Sequence, residues 1–263
     1  MHSLPMPTQT QSPLTSRYRH CEYPPANSYQ IEKITDTRQL LDCPINTAAV
    51  YVWPEADTTH RHAWLARLES FVESYLTAPP GRTEPDLFII SNGGNPCTEA
   101  ASLIELLPNP TVISRDNSGY DLGAFKHWTD MHGHKYDIAV YMGTYARPTK
   151  PGWMDFIKIH FLLNGPGLYG QFFAIAPYPH IRTQVFISDP LLISMFWPKY
   201  VLTSQRYPLE HGPNNWTIQL IRAGFDAFVL SWDGIWHVRQ LNTTLRARFN
   251  QLFYDKFYTV PVQ

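Results

Sequence analysis

DNSGYDLGAFK, residues 116–126, lies where a strand pattern changes into a helix pattern. The apolar run at 111–114 predicts a strand before it, and a helix is predicted after it as far as about His132. Polar side chains and glycines at such a switch are typical of the ligand crevice of an α/β protein, because glycine lets backbone approach a ligand. A tight turn that caps the helix, with Gly119 at a positive φ, explains the same pattern.

Strands and helices alternate along the chain around this stretch. Apolar runs predict strands at 48–53, 87–91, 111–114, 138–142, 168–175, 181–187 and 227–231, the last being the final strand. Helical spacing of apolar residues predicts helices at 62–76, 98–107, 153–163, 190–200 and 214–223. This alternation predicts an α/β fold with a mostly parallel sheet and helices on both faces.

The domain organisation follows from composition. Residues 1–30 are rich in Pro, Ser, Thr and Gln and predict an N-terminal arm or tail, because such a segment buries little apolar surface. Residues 31–263 contain no clear linker or internal repeat and predict a single domain.

Charge and hydropathy limit the class of protein. The net charge of −1 argues against nonspecific binding of nucleic acid, which relies on many basic contacts with phosphate. No apolar run has the length of a membrane span, and the N-terminus lacks the layout of a signal peptide. The three cysteines have no metal-ligand spacing, and their odd number does not suggest a disulfide framework. A reducing, cytoplasmic location is therefore expected.

Three short motifs resemble one family of enzymes. Residues 117–124 match the Asn-x-Gly-x-Asp-x-Gly-Ala signature of nucleotide-sugar-dependent glycosyltransferases with a GT-A-like fold, in particular the rhamnan-synthesis F-type family. The segment 180–186 resembles a His-Ile-x-Thr segment of those proteins, and 209–225 resembles their late acidic residue, helix and glycine. The resemblance covers roughly residues 48–240.

The resemblance implies a donor site over the ends of the first strands. The residues it implies for binding the nucleotide sugar are Trp53 with the loop after it, Asn92, Gly93, Asn117, Gly119, Asp121 and Arg182. Asp121 would accept hydrogen bonds from ribose hydroxyls, unless it only complements the dipole at a helix N-terminus. Arg182 would lie near the diphosphate, unless it forms a salt bridge inside the domain. Close approach of the ligand would be allowed by Gly123 and Ala124.

Further charged residues have two interpretations each. Arg115 and Lys126 flank the signature and would either meet the diphosphate or stay solvated. Glu210 matches the family's late acid and is the first candidate for the general base, although a helix N-terminal acid explains it too. Asp189 and Asp233 are the alternative bases.

The metal motif of GT-A enzymes is missing. These enzymes usually place Asp-x-Asp at the end of the central strand, where it binds Mg²⁺ or Mn²⁺, but residues 141–148 contain no acid. The enzyme would then be metal-independent, with Arg147, Lys150 or Arg182 neutralising the leaving group. A metal held elsewhere, for example by His237, and a loss of catalysis with retention of sugar binding are the alternatives.

The predicted function is transfer of a sugar from a nucleotide-diphosphate donor to a glycan acceptor in polysaccharide biosynthesis. Rhamnose on a dTDP carrier is the donor that the nearest resemblance suggests. The alternative is a noncatalytic carbohydrate- or nucleotide-binding module of a polysaccharide-assembly protein. Phosphate loops and nucleophile elbows are absent from the sequence, which argues against those NTPases and hydrolases.

Overall fold

Strands and helices alternate in the computed structural model, which describes residues 38–241, 245–246 and 250–254. Within these residues the strands are β1 (Thr47–Trp53), β2 (Asp86–Asn92), β3 (Thr111–Arg115), β4 (Ile138–Met142), β5 (Arg147–Pro148), β6 (Gly167–Gly170), β7 (Phe172–Ala174), β8 (His180–Ile181), β9 (Val185–Ser188), β10 (Asp226–Ser231), β11 (Gly234–His237), β12 (Leu245–Arg246) and β13 (Phe253–Tyr254). The helices are α1 (Arg38–Leu41), α2 (Arg61–Thr77), α3 (Thr98–Ile104), α4 (Tyr120–His132), α5 (Trp153–Asn164), α6 (Pro190–Phe196), α7 (Thr203–His211) and α8 (Trp216–Arg222). The predicted arm at 1–30 lies outside the described residues, and the single domain from residue 31 stays a prediction.

One eight-stranded sheet forms the centre of the molecule, in the order β11-β10-β6-β9-β4-β1-β2-β3. The neighbours β3, β2, β1 and β4 all pair in parallel, and β6 pairs in parallel with β10. Only β9 and the edge strand β11 run antiparallel to their neighbours in this sheet. The four predicted strands of the first half therefore lie side by side in one mainly parallel sheet, as predicted.

Both faces of the sheet are covered, because alternate residues of each strand point to opposite sides. In β1, Val50 and Val52 belong to a core that includes residues of α4, α6 and α8. Tyr51 and Trp53 belong to the other core, which includes residues of α2, α3 and α5. The prediction of an α/β fold with helices on both faces is confirmed.

The second half departs from the predicted strands. The run predicted at 168–175 divides into β6 in the main sheet and β7 in a small sheet with β8 and β12. The division follows Gly170, where any Cβ would overlap the side chain of Ile181. The run predicted at 181–187 divides in the same way into β8 and β9, and β10 is followed by β11 rather than being the final strand.

Proline explains two errors in the predicted helices. Helix α6 ends at Phe196 instead of residue 200 because Trp197 precedes Pro198, and the residue before a proline disfavours helical backbone. Helix α7 was not predicted, since it contains Pro208 in its interior. Proline removes a backbone donor and is normally a sign against a helix.

The bonding of the cysteines bears on the expected compartment. Cys43 is disulfide-bonded, and Cys97 is free. Disulfides persist in oxidising compartments, so the expectation of a reducing compartment loses the support it took from the cysteine count. Across the described ranges, none of the helices combines the length and the apolar character that crossing a bilayer requires.

Candidate functional site

The carboxyl ends of β1, β2, β3 and β4 meet at one edge of the sheet because these strands are parallel. The loops that follow them therefore lie next to each other, and this edge is where open α/β sheets bind ligands. The loop between β8 and β9, residues 182–184, reaches the same edge, since the backbone N–H of Gly143 donates to the carbonyl of Gln184 at 2.8 Å. We call this edge the crevice.

Arg115 holds the loops after β2 and β3 together. Its guanidinium donates to the Asn92 side-chain oxygen at 2.5 Å and to the Ser118 carbonyl at 2.7 Å. Its own carbonyl accepts the backbone N–H groups of Gly93 and Gly94 at 2.7 and 3.0 Å. Burial lowers the pKa of the Arg115 guanidinium while the neighbouring acid opposes the shift. The crevice thus contains a half-buried cation, the Arg115 guanidinium, which is held by hydrogen bonds and is not a solvated surface charge.

The glycines of the signature serve the chain's own packing. Gly119 precedes α4 with φ of +70°, and a Cβ on it would overlap the carbonyl oxygen of Val201. A Cβ on Gly123 would overlap the carbonyl oxygen of Ser118, and Ala124 is fully buried. The expectation that Gly123 and Ala124 allow close approach of a ligand is therefore wrong: protein atoms occupy that space.

Asp121 lies over the end of β4. A Cβ built on Gly143 would be 3.2 Å from a carboxylate oxygen of Asp121 and 2.6 Å from the side-chain nitrogen of Gln184. Burial, followed by the charge of Asp121, raises the pKa of Tyr51, whose hydroxyl donates to the Thr144 carbonyl at 2.9 Å. Asp121 is in the first turn of α4, so it also complements the helix dipole. The carboxylate nevertheless points to the crevice, beside the place where Asp-x-Asp would lie.

Glu210 lies in the last turn of α7 and not at the start of a helix. Its carboxylate accepts the backbone N–H of Thr183 at 3.1 Å, and it lies 3.4 Å from Nε2 of His211 and 3.9 Å from the guanidinium of Arg182. Burial would raise the pKa of Glu210. The hydrogen bond and charge of His211, the Thr183 N–H and Arg182 outweigh that effect and hold its pKa at about 2. The interpretation as a helix N-terminal acid is wrong, because Glu210 lies at the C-terminal end of α7. The helix dipole disfavours a carboxylate at that end.

A second histidine continues this cluster into the interior. Nδ1 of His211 lies 2.9 Å from Nε2 of His180, and Nδ1 of His180 lies 2.7 Å from the carbonyl oxygen of Tyr178. The side chain of Glu210 keeps 15% of its surface exposed, whereas His180 is 1% exposed. The chain of contacts therefore runs from a partly exposed carboxylate, through His211 and the buried His180, to the backbone carbonyl of Tyr178.

The structure brings Asp121, Arg182 and Glu210 to one segment of chain. Residues 182–184 contribute Arg182, the Thr183 N–H that binds Glu210, and the Gln184 side chain next to Asp121. Sequence reasoning did not single out Gln184, although it follows directly on the matched His-Ile-x-Thr segment. The contact between His180 and His211 was not predicted either, since nothing in the sequence links residues 31 positions apart.

Two predicted donor residues are enclosed. The Trp53 ring is 1% exposed and donates its N–H to Glu55 at 2.8 Å, so it cannot stack on a ligand in this conformation. Asn92 is also 1% exposed, with its oxygen bonded to Arg115. Asn117 is half-buried, and its carbonyl accepts the N–H of Tyr120 at 3.2 Å within the signature turn.

Other candidate residues have structural partners away from Glu210. Lys126 is buried and donates to Asp130 at 2.7 Å, so it is not a solvated charge. Asp189 is fully buried and caps α6, accepting the Leu191 N–H at 2.8 Å, which excludes it as an accessible base. The remaining pairs are Asp233 with Asn250, Lys150 with Asn250, His237 with Asp226, and Arg147 with the ring of Tyr254.

The side chains at the end of β4 do not reproduce the metal site of GT-A enzymes. Asp121 is the carboxylate beside Gly143, where Asp-x-Asp would supply two carboxylates. The Thr144 hydroxyl donates to the Val52 carbonyl at 3.0 Å. Nowhere in the described part of the chain do three or more His, Cys, Asp or Glu side chains form a group suited to a metal ion. The donor set present thus differs from the one that the resemblance implies.

No protein-family model matches the chain, and no curated protein matches its sequence. Solved structures are similar at low identity. The apo form of mouse xyloside xylosyltransferase 1 has a TM-score of 0.47 and 12% identity, over 72% of this chain and 86% of that one. A protein described as a nucleotide-diphospho-sugar transferase from Desulfovibrio desulfuricans G20 has a TM-score of 0.44 and 16% identity, over 70% and 79% of the two chains. A protein described as a glucose-1-phosphate thymidylyltransferase from Bacillus anthracis, in complex with sucrose, has a TM-score of 0.41 and 14% identity, over 73% and 89%. At these values the function has to be argued from this chain's own residues.

Proposed function

We propose that this protein is a GT-A-like glycosyltransferase that moves a sugar from a nucleotide-diphosphate donor to a hydroxyl of a glycan acceptor. The observation that carries the proposal is the position of two carboxylates, Asp121 and Glu210, beside the segment 182–184 at the crevice. One carboxylate would bind donor hydroxyls, while the other, whose side chain keeps 15% of its surface exposed, would receive a proton from the acceptor. Rhamnose on a dTDP carrier, for polysaccharide biosynthesis, is the narrower form of this proposal and rests on the signature at 117–124.

The donor nucleotide is proposed to lie over the loops after β1, β2 and β3. These loops contain Gly93, Asn117 and Gly119, and Arg115 joins two of them through Asn92 and Ser118. The Arg115 guanidinium also donates to the Asp116 carboxylate at 3.1 Å, so its role in this proposal is to order the loops over which the donor lies. Because the Trp53 ring is enclosed, the first loop would contribute through the residues that follow Trp53.

The negative charge of the departing diphosphate needs an offset, since the transition state places that charge on the leaving group. Three cations were candidates. Arg147 and Lys150 contact Tyr254 and Asn250. Arg182 lies over the ring of Phe172, but it belongs to the segment 182–184 that reaches the crevice and lies 3.9 Å from Glu210. We therefore propose Arg182 as the group that meets the diphosphate.

Replacing Asp121 by Ala is expected to weaken binding of a nucleoside diphosphate by about 1–3 kcal/mol, the scale of a lost charge-assisted hydrogen bond. The measurement is calorimetric titration of the folded variant with a series of nucleoside diphosphates. Glu73→Ala is the matched control, because Glu73 is an exposed acid on α2 outside the crevice. Equal affinities for Asp121→Ala and the wild type would remove Asp121 from the donor site.

Turnover is expected to persist in EDTA, because one carboxylate lies where the metal site of GT-A enzymes needs two. The test measures release of nucleoside diphosphate from nucleotide sugars, with and without EDTA, in the presence of glycan acceptors. Loss of turnover in EDTA that Mn²⁺ restores would contradict this prediction. Donor binding without any transfer or hydrolysis would instead favour the noncatalytic binding module.

A further inference from the structure

The hydrogen bonds that link His211, His180 and the Tyr178 carbonyl have a fixed donor and acceptor at each step. The Tyr178 carbonyl can only accept a hydrogen bond, so Nδ1 of His180, at 2.7 Å, must carry a proton. His180 is 1% exposed, and burial is the largest cause that lowers its pKa, which favours the neutral ring. Its Nε2 is then an acceptor, and Nδ1 of His211, 2.9 Å away, must donate to it.

This direction determines what His211 presents to Glu210. With Nδ1 committed to His180, the other nitrogen of His211 is either a lone pair or an N–H, and it lies 3.4 Å from the Glu210 carboxylate. A lone pair facing an ionised carboxylate is repulsive, whereas one proton between the two groups makes a hydrogen bond. A proton between Nε2 of His211 and the Glu210 carboxylate would therefore be bound by both groups in common.

Few charged or titratable groups of the described residues lie near the pair formed by His211 and Glu210. Arg182 lies 3.9 Å from Glu210, and the Tyr207 ring lies 5.1 Å from the His211 ring on the same helix. From α8, the neutral Thr217 side chain accepts the Ile181 N–H at 2.9 Å. Among residues 38–241, 245–246 and 250–254, the charged and titratable groups that face the pair are therefore Arg182, Tyr207 and His180.

We propose that His211 is the positioning residue that receives, through Glu210, the proton of the acceptor hydroxyl, and that His180 fixes the tautomer that makes this possible. The inference rests on the proposed function. In the step, the acceptor O–H bond breaks and its proton passes by way of Glu210 to Nε2 of His211. The acceptor oxygen forms a bond to the anomeric carbon as the bond from that carbon to the diphosphate oxygen breaks. The electron pair of the broken bond leaves with the nucleoside diphosphate.

The proposal explains how a strongly ionised carboxylate can serve as a base. Burial raises the pKa of Glu210. The hydrogen bond and charge of His211, with the Thr183 N–H and Arg182, oppose that effect and bring the pKa to about 2. When the pair has lost its common proton, the opposition from His211 disappears and the effect of burial remains. Glu210 is then a stronger base, which is the state in which it meets the acceptor.

The first experiment needs no substrate. In ¹⁵N NMR of the imidazole rings, His180 is expected as the Nδ1–H tautomer. In ¹³C NMR of carboxyl groups, the wild-type Glu210 resonance is expected to show an ionised carboxylate down to a pH of about 2. His211→Gln should move its titration to higher pH. An Nε2–H tautomer at His180, or an unchanged Glu210 titration in His211→Gln, overturns the proposal.

The second experiment measures kcat against pH. The wild type should gain activity as the pair loses its proton, and His211→Gln should lack this limb and turn over about 10- to 100-fold more slowly. His237→Gln is the matched control, because His237 contacts Asp226 at 2.8 Å on the edge strands of the sheet. An acid limb in His211→Gln identical to that of the wild type overturns the proposal. The expected NMR signature without any sugar transfer refutes the proposed function and leaves the proton-sharing pair standing.

Discussion

Glu210→Gln is expected to lower kcat by about 100- to 10,000-fold, the contribution of a positioned general base. The amide keeps the shape of the side chain and can still accept the Thr183 N–H, but it cannot take up the proton of the acceptor. The loss corresponds to about 3–5 kcal/mol of transition-state stabilisation. Donor affinity should change little, because Glu210 acts on the acceptor. The measurement is initial-rate kinetics at saturating donor.

The control for this variant is Glu73→Gln, an exposed acid on α2. Melting curves of both variants separate a chemical effect from a loss of structure, since Glu210 also binds the backbone of Thr183. Full turnover by a folded Glu210→Gln would show that the base lies elsewhere. Asp233, which is exposed, and Asp121 are then the carboxylates to test next, because Asp189 is enclosed in its capping role.

The first half of the fold could be predicted because of how its strands are buried. Strand β1 is buried on both faces, so its sequence is a continuous apolar run, and Pro54 marks its end. The strands around 87–91 and 138–142 follow the same rule, whereas β3 lies at the edge of the sheet and is largely exposed. Loops with glycine or proline separate these strands. Local patterns are sufficient when each strand pairs with a neighbour of the same kind.

The second half could not be predicted in this way because long-range packing decides it. The break between β6 and β7 depends on Ile181, which approaches Gly170 from a later part of the chain. Helix α7 forms in spite of Pro208, and its end places Glu210 against Thr183. A local pattern contains neither fact.

The candidate site shows the same difference between local sequence patterns and long-range contacts. The signature predicted that Asp121 lies at the end of a strand, and the structure places it beside Gly143. The histidine chain depends on contact between α7 and His180, the first residue of β8, which no periodicity reports. Motif spacing therefore indicated the donor side, while the environment of the proposed base became visible only in three dimensions.

Gly119→Ala is expected to destabilise the protein by about 3–5 kcal/mol, because two costs combine. The residue has φ of +70° and ψ of 7°, a left-handed conformation that costs an L-residue about 1–2 kcal/mol. Its Cβ would also overlap the Val201 carbonyl, and backbone cannot move aside as a flexible side chain can. Chemical denaturation of the wild type and the variant measures the difference.

Gly152→Ala separates the two costs. Gly152 is also the residue before a helix, with φ of 82° and ψ of 13°, but a Cβ there would meet nothing within 4 Å. It should therefore lose only the conformational part, about 1–2 kcal/mol. Equal losses in the two variants would mean that the contact with Val201 contributes nothing.

The larger loss at Gly119 would show that the glycine of the signature is required by the packing of α4 against the segment before α7. That packing matters for the proposed reaction, because Asp121 is in the first turn of α4 and Glu210 is in the last turn of α7. The same contact would then set the spacing between the two carboxylates.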